Sequence, residues 1–266
     1  MEENGTLAII GCLLMEDEMV HVITHDSSIK SVLVIENEVN DSILSKLNDG
    51  LEGVPIGLLN EDELQSLPKN DGFSILVWMK DMALHESPEI LKKDMIETIR
   101  KLRGTCDAAM LFYGLCGNAL KDIGGLSKEA GMPVTILRDS RGEIVDDCIA
   151  AVIGGREAYQ KIVSRDLGVF FLTPMWAEVW REMAVRTRVV PPGYDISLYK
   201  MVLQSSGYTK VIKIDTGLND AEKFEDQAVE FAEIFELEKV DMNGDLDLVK
   251  ESYEKAKATI KDEVST

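Results

Sequence analysis

The sequence predicts an α/β fold: a mainly parallel sheet flanked by helices, Rossmann-like, arranged either as one continuous domain or as two lobes. Two observations carry this. Short apolar runs bounded by turn residues alternate with helical patterns along the whole chain, which is how βαβ units read in sequence. Runs such as Ala108–Phe112 are apolar throughout, as strands covered on both faces are.

Leu7–Cys12 is the first strand, and Leu13 to His25 follows as a helix with Glu16, Asp17 and Glu18 near its positive end. Ser31–Ile35 is a second strand, and Asp41 can cap a helix through Leu47. Val54–Leu59 reads as an edge strand, because Pro55 removes a ladder donor. Phe73–Trp78 is strand-like. Ser87-Pro88-Glu89 is a helix start, with a serine cap, proline at the first position and an acid next; that helix should reach Leu102. The Ala108 strand ends in Tyr113-Gly-Leu-Cys116-Gly-Asn118, a tight glycine loop.

A helix around Leu120 to Ala130 ends at Gly131-Met-Pro133, and Val134 to Arg138 is the next strand. Asp146 or Asp147 can cap a helix from Cys148 towards Val163, interrupted at Gly154-Gly155. Gly168–Leu172 is a strand, and Thr173-Pro174 opens a helix; Trp176 and Trp180, four apart on it, suit core packing. A helix led by Asp195 follows, then the Lys210–Ile214 strand. Asn219-x-x-Glu222 resembles a capping box before a helix whose Phe224, Ala228, Phe231, Ala232 and Phe235 share one face. Lys239-Val240 is a short strand and Leu246 to Ala258 a final helix. Residues 1–165 would form an N-terminal lobe and 166–266 a C-terminal one.

The chain of 266 residues carries 28 basic and 48 acidic side chains, a formal charge of −20. With no basic stripe to neutralise phosphates, nucleic acid is not an expected partner, nor is an anionic membrane surface. No apolar run approaches the roughly 20 residues that span a bilayer. The acidic opening lacks the basic region of a signal peptide, so the expected location is the cytoplasm. From Asp215 onward acids outnumber lysines sixteen to six, which reads as a solvated face. Asp241-Met-Asn243-Gly-Asp245 begins like a calcium loop, but the sixth position, where glycine is needed, is Leu246.

In a parallel sheet with right-handed crossovers, every strand-to-helix loop emerges at one edge, where ligands bind. Cys12 ends the first strand, His85 precedes the Ser87 helix, Cys116 tips the Ala108 strand and Cys148 opens a helix. All four fall on that carboxyl rim, whereas Cys106 precedes its strand and belongs to the opposite edge. Three thiolates and an imidazole suit zinc or an iron–sulfur cluster, with Cys12, Cys116 and Cys148 as thiolate ligands and His85 as fourth ligand or acid–base group. Tyr113, Gly114, Gly117, Asn118 and Arg138 are placed to contact a polar ligand. The alternatives are an enzyme without metal, in which Cys116 is a nucleophile and His85 its partner, and a non-catalytic scaffold. His21 and His25, with Glu18 one turn back, are metal-compatible in spacing but more often form a polar face. The glycine loop lacks the Lys-Ser/Thr of a P-loop, and no histidine follows position 85 to complete a serine triad.

Ile10-Gly-Cys12, the segment from His85 to Pro88, Tyr113-Gly-Leu-Cys-Gly-Asn118, Asp147-Cys148-Ile149 and Leu172-Thr-Pro174 together resemble domain-of-unknown-function family 1638 (DUF1638), over roughly the first three quarters of the chain. Family members commonly carry a histidine before the Asp-Cys pair; here Asp146 takes that position. The resemblance implies an anaerobic setting beside corrinoid-dependent methyltransferases for methylamines or related donors. It thus implies a supporting part in methyl transfer, as a metal-dependent methyltransferase or an accessory to one, with a small-molecule substrate or a corrinoid protein as partner and a possible corrinoid contact.

Overall fold

The computed structural model describes residues 4–67, 72–82, 84 and 87–263, the last three of these by backbone only. The fold is α/β. Six parallel strands form the first sheet: β1 (Gly5–Cys12), β2 (Ile29–Ile35), β3 (Ile56–Leu59), β4 (Phe73–Lys80), β5 (Ala108–Phe112) and β6 (Val134–Ile136), in the order β3-β2-β4-β1-β5-β6. A second parallel sheet runs β7 (Val169–Leu172), β8 (Lys210–Asp215), β9 (Glu238–Asn243). As Pro55 foretells, β3 is an edge strand; its neighbour's Val32 N–H donates to the Pro55 carbonyl at 3.0 Å.

The helices are α1 (Glu16–Thr24), α2 (Asp41–Gly50), α3 (Pro88–Leu102), α4 (Ile123–Ala130), α5 (Cys148–Val152), α6 (Arg156–Val163), α7 (Pro174–Arg186), α8 (Ile196–Ser205), α9 (Ala221–Phe235) and α10 (Asp247–Glu263). Their starts follow local chemistry. Ser87, Asp122, Asp147, Thr173 and Asp195 each accept a first-turn amide on α3, α4, α5, α7 and α8. Two expected caps differ. Asp41 is the first helical residue of α2, after Asn40, and Asp220 rather than Asn219 caps α9 by accepting from Glu222 and Lys223. At α2 the Asn40 side chain makes no cap bond and donates instead to the Ile35 carbonyl, whereas at α9 the cap falls one residue later than the sequence suggests.

The connection leaving β1 runs towards β2, while those leaving β4 and β5 run the other way, towards β5 and β6. β1 is therefore a topological switch point, the place where a crevice opens beyond the strand ends. α1, α2 and α10 lie together, and α3 packs with α4.

The solvated face expected from Asp215 onward includes the exposed acids of α9, but it does not extend to all of α10. The helix returns to pack on β1, β5 and β6, burying Leu248, Val249, Tyr253, Ala256 and Ile260 in the first core. Lys257 Nζ and Tyr253 Oη both donate to Asp26 Oδ2 at 2.7 Å. The second sheet has its own aromatic core, in which Trp180, Tyr199, Phe224, Phe231 and Phe235 are buried together. Where the second unit meets the first, Lys46 on α2 pairs with Glu16 (2.7 Å) and Asp17 (2.6 Å) while lying 3.8 Å from the Met175 sulfur of α7, and Arg186 of α7 pairs with Asp81. Among the described residues, no helix is long and apolar enough to cross a membrane.

Candidate functional site

Strand order decides which rim residues become neighbours. Cys12 ends β1, Cys116 follows β5 and Cys148 follows β6, and these three strands are consecutive in the sheet. β4, on the other side of β1, leads into the segment that contains His85, which lies outside the described residues. Cys106 precedes β5 at the opposite edge, buried in the core.

The loop after β5 is held against the loop before α5. Leu115 N–H donates to the Val145 carbonyl (2.8 Å) and Cys116 N–H to that of Asp146 (3.0 Å). Gly114 permits this approach: a Cβ there would stand 2.7 Å from the Asp147 nitrogen and from the Val145 oxygen. Cys116, Gly117 and Asn118 then turn with φ of 43°, 69° and 66°. Glycine and asparagine tolerate the left-handed region; a cysteine there is strained, at a cost of about 1–3 kcal/mol that the surrounding contacts must offset. Strain of this kind clusters at ligand sites.

The loop forms one wall of a cleft of about 430 Å³ lined by Leu115, Cys116, Asn118, Asp147, Cys148, Tyr159 and Trp176, among others. Gly117 and Asp146 also line it, and Asp146 is ion-paired with Arg156 at 3.5 Å. Arg138 is not among the lining residues; its guanidinium donates to the Gly142 carbonyl at 2.6 Å, bracing a turn. Tyr113, Gly114 and Cys12 do not line the cleft either; Tyr113 and Cys12 are buried side by side.

All three rim thiols are held in the protonated form. Burial pushes Cys12 up to about 12, against the opposing pull of the Leu14 amide and the Tyr113 hydroxyl. Burial pushes Cys116 up to about 12, with the charge of Cys12 adding to it. Cys148 rises well above the ordinary thiol range, through burial first and then the charges of Asp147, Cys12 and Cys116. A thiolate at Cys12 would thus oppose ionisation of both Cys116 and Cys148. A nucleophilic Cys116 needs the reverse, a depressed pKa or an adjacent base. Among the described residues, no three histidine, cysteine or acidic side chains are already arranged as a metal-ligand group.

A family model described as "Protein of unknown function (DUF1638)" matches residues 79–253, about two thirds of the chain. The chain belongs to the DUF1638 family. The matched region takes in Tyr113–Asn118, Asp147–Ile149 and Leu172–Pro174, and it begins beyond Ile10–Cys12, further along the chain than the resemblance described above. No curated protein matches the chain.

Within this DUF1638 member, Trp176 has a second place that the sequence reading did not give it. Its spacing from Trp180 suits core packing, and Trp180 is indeed 2% exposed in the second core. Trp176 packs against the margins of both cores and in addition lines the cleft, positioned by Thr173, whose Oγ1 accepts its backbone N–H at 3.4 Å. Its Nε1 is buried without a hydrogen-bond partner and faces Cys148, whose thiolate it favours. Tyr159, its ring centroid 5.4 Å from that of Phe171 and tilted to it, also lines the cleft, where sequence placed it only within a helix. The histidine pair is a local matter: the His25 ring lies 4.1 Å from that of His21, and its Nδ1 is 2.8 Å from the His21 carbonyl oxygen.

Proposed function

We propose that this DUF1638 protein binds a thiophilic metal ion through Cys12, Cys116 and Cys148, with zinc as the resident ion and His85 as the fourth ligand or an acid–base group. The observation that carries this reading is that Cys12, Cys116 and Cys148 end or follow three consecutive strands, β1, β5 and β6, at one rim of the sheet, with Cys116 and Cys148 lining the same cleft. The donor set fits: sulfur ligands select zinc and iron–sulfur chemistry over hard cations. The protonated state of the thiols also fits a site whose loading releases protons, because a cation reverses the cost of burying thiolate charge. A bound zinc would supply Lewis acidity and an open position for a ligand.

The chain's own groups would then do the rest. The loop held by Gly114 keeps Cys116 in place. The cleft walls of Tyr159 and Trp176 exclude water from a small substrate, which we take to be sulfur-containing or methylated. On this reading the protein serves corrinoid-dependent methyl transfer, as the catalyst of one step or as an accessory to a corrinoid protein.

Metal analysis of anaerobically purified protein tests the proposal. The expected result is about one zinc per chain, lost in Cys116→Ser; stoichiometric iron with sulfide would favour a cluster on the same residues. Near-zero zinc, iron and cobalt, unchanged in Cys116→Ser, would sink it.

A further inference from the structure

Two donors at the site have nothing to donate to. The Tyr113 hydroxyl is buried without a hydrogen-bond partner in a residue only 2% exposed, and the buried Trp176 Nε1 is equally unpartnered. Leaving a buried donor unsatisfied costs roughly 1–3 kcal/mol, so such groups are rare and mark an ion, a water or a functional state. Their surroundings are specific. Register brings Tyr113 beside Cys12: Gly11 pairs with Phe112 across β1 and β5, and the residues that follow are Cys12, the end of β1, and Tyr113, the first beyond β5. Side chains at opposed positions of neighbouring strands share a face. Trp176 approaches Cys148 from the second unit, on the first turn of α7.

We propose that the Tyr113 hydroxyl and the Trp176 indole N–H are hydrogen-bond donors to the thiolates of Cys12 and Cys148 in the metal-loaded protein, and that Trp176 thereby lets the second unit complete a site built on the first. This rests on the metal reading above and adds the roles of two residues outside the ligand set. Both donors are buried and close no hydrogen bond; a metal-bound thiolate is a strong acceptor and would give each its partner. Metal-bound ligands depend on such outer partners for orientation and charge. Tyr113 and Trp176 are positioning residues in this scheme: neither touches the ion.

Anaerobic titration with cobalt(II), read by its sulfur-to-metal charge-transfer band, tests this. A donor to sulfur lowers the energy of the sulfur lone pair and moves the band to higher energy. Tyr113→Phe and Trp176→Phe should therefore each shift the band to lower energy and weaken binding about 10–100-fold. The Trp176→Phe shift should vanish in a Cys148→Ser background. Circular dichroism and melting confirm folding, and Tyr113→Phe, which removes a single oxygen, keeps the test open should Trp176→Phe disturb the aromatic packing. Bands and affinities equal to those of the unsubstituted protein in both variants would overturn the inference while leaving the metal reading intact. Absence of any band in the unsubstituted protein would overturn both.

Discussion

Gly114 and Asp147 meet without room for a methyl group between them: a Cβ on Gly114 would lie 2.7 Å from the Asp147 nitrogen and 2.9 Å from its Cα. Both atoms are backbone and cannot swing aside. The contact sets the distance between the loop that carries Cys116 and the loop that leads into Cys148.

Gly114→Ala should therefore push the two loops apart. Overpacking of this kind costs about 1–3 kcal/mol. Gly124 in α4 is the control, since a Cβ there meets nothing within 4 Å. Gly124→Ala should stabilise the protein by about 0.5–1 kcal/mol, as helix propensity dictates. Urea denaturation of both variants measures the two effects, and equal midpoints would contradict this account of the loop contact.

Thiol alkylation should be slow at neutral pH. Cys116 is the only half-exposed one of the four cysteines, and with its pKa near 12 roughly one molecule in 10⁵ carries the thiolate at pH 7. In metal-free protein, iodoacetamide labelling followed by mass spectrometry should find Cys116 modified first, at a rate rising about tenfold per pH unit from 7 to 9. Fast, selective labelling at pH 7 would point instead to an activated nucleophile.

Glu18, in the first turn of α1, is 3% exposed, and burial raises its carboxyl to about 8. Unfolded, it would titrate at about 4.5. Between these values the folded protein holds a proton that the unfolded chain has released, so stability is full below pH 4.5 and declines as pH rises towards 8. Glu18→Gln removes that decline. The variant and the unsubstituted protein should melt together near pH 4.5, and the variant should be more stable at pH 8, by on the order of 2–4 kcal/mol. A difference that does not grow with pH would refute the assignment.

Asp26 anchors α10. Burial pushes its carboxyl up, but hydrogen bonds from Lys257, Ser28 and Tyr253 outweigh this and hold it below the usual range. Lys257 and Asp26 keep only 9% and 7% of their side-chain surface exposed. Asp26→Asn removes the charge that a buried lysine faces, which costs about 3–5 kcal/mol. Hydrogen exchange should then rise first along α10, while the amides of α9 in the second core stay protected.

Much of this architecture is legible in the residues themselves. Ser87-Pro88-Glu89 marks the start of α3 and Leu102 its end, and the Phe224–Phe235 stripe is buried as its spacing requires. Placing Cys12, Cys116 and Cys148 on one rim needs only the parallel sheet and right-handed crossovers. Their adjacency needs the insertion of β4 between β2 and β1 and the pairing of β1 with β5, contacts between residues far apart in sequence that leave no local pattern. α10 was obscured by its charge: Val249, Tyr253, Ala256 and Ile260 form a helical stripe among many acids and lysines. Trp176 shows the limit of periodicity, because of two residues four apart on one helix that both pack on a core, one also faces a cleft.

The return of α10 has a consequence for how the chain is made. β6 ends at Ile136, and the helix that covers β1, β5 and β6 begins at Asp247. At ribosomal elongation rates of about 5–20 residues per second, the first sheet waits roughly 5–20 s with that face bare. The second sheet is synthesised entirely within that interval. Until α10 has emerged, that face is open to chaperones and to aggregation, and the helix acts as the clasp that ends this vulnerability.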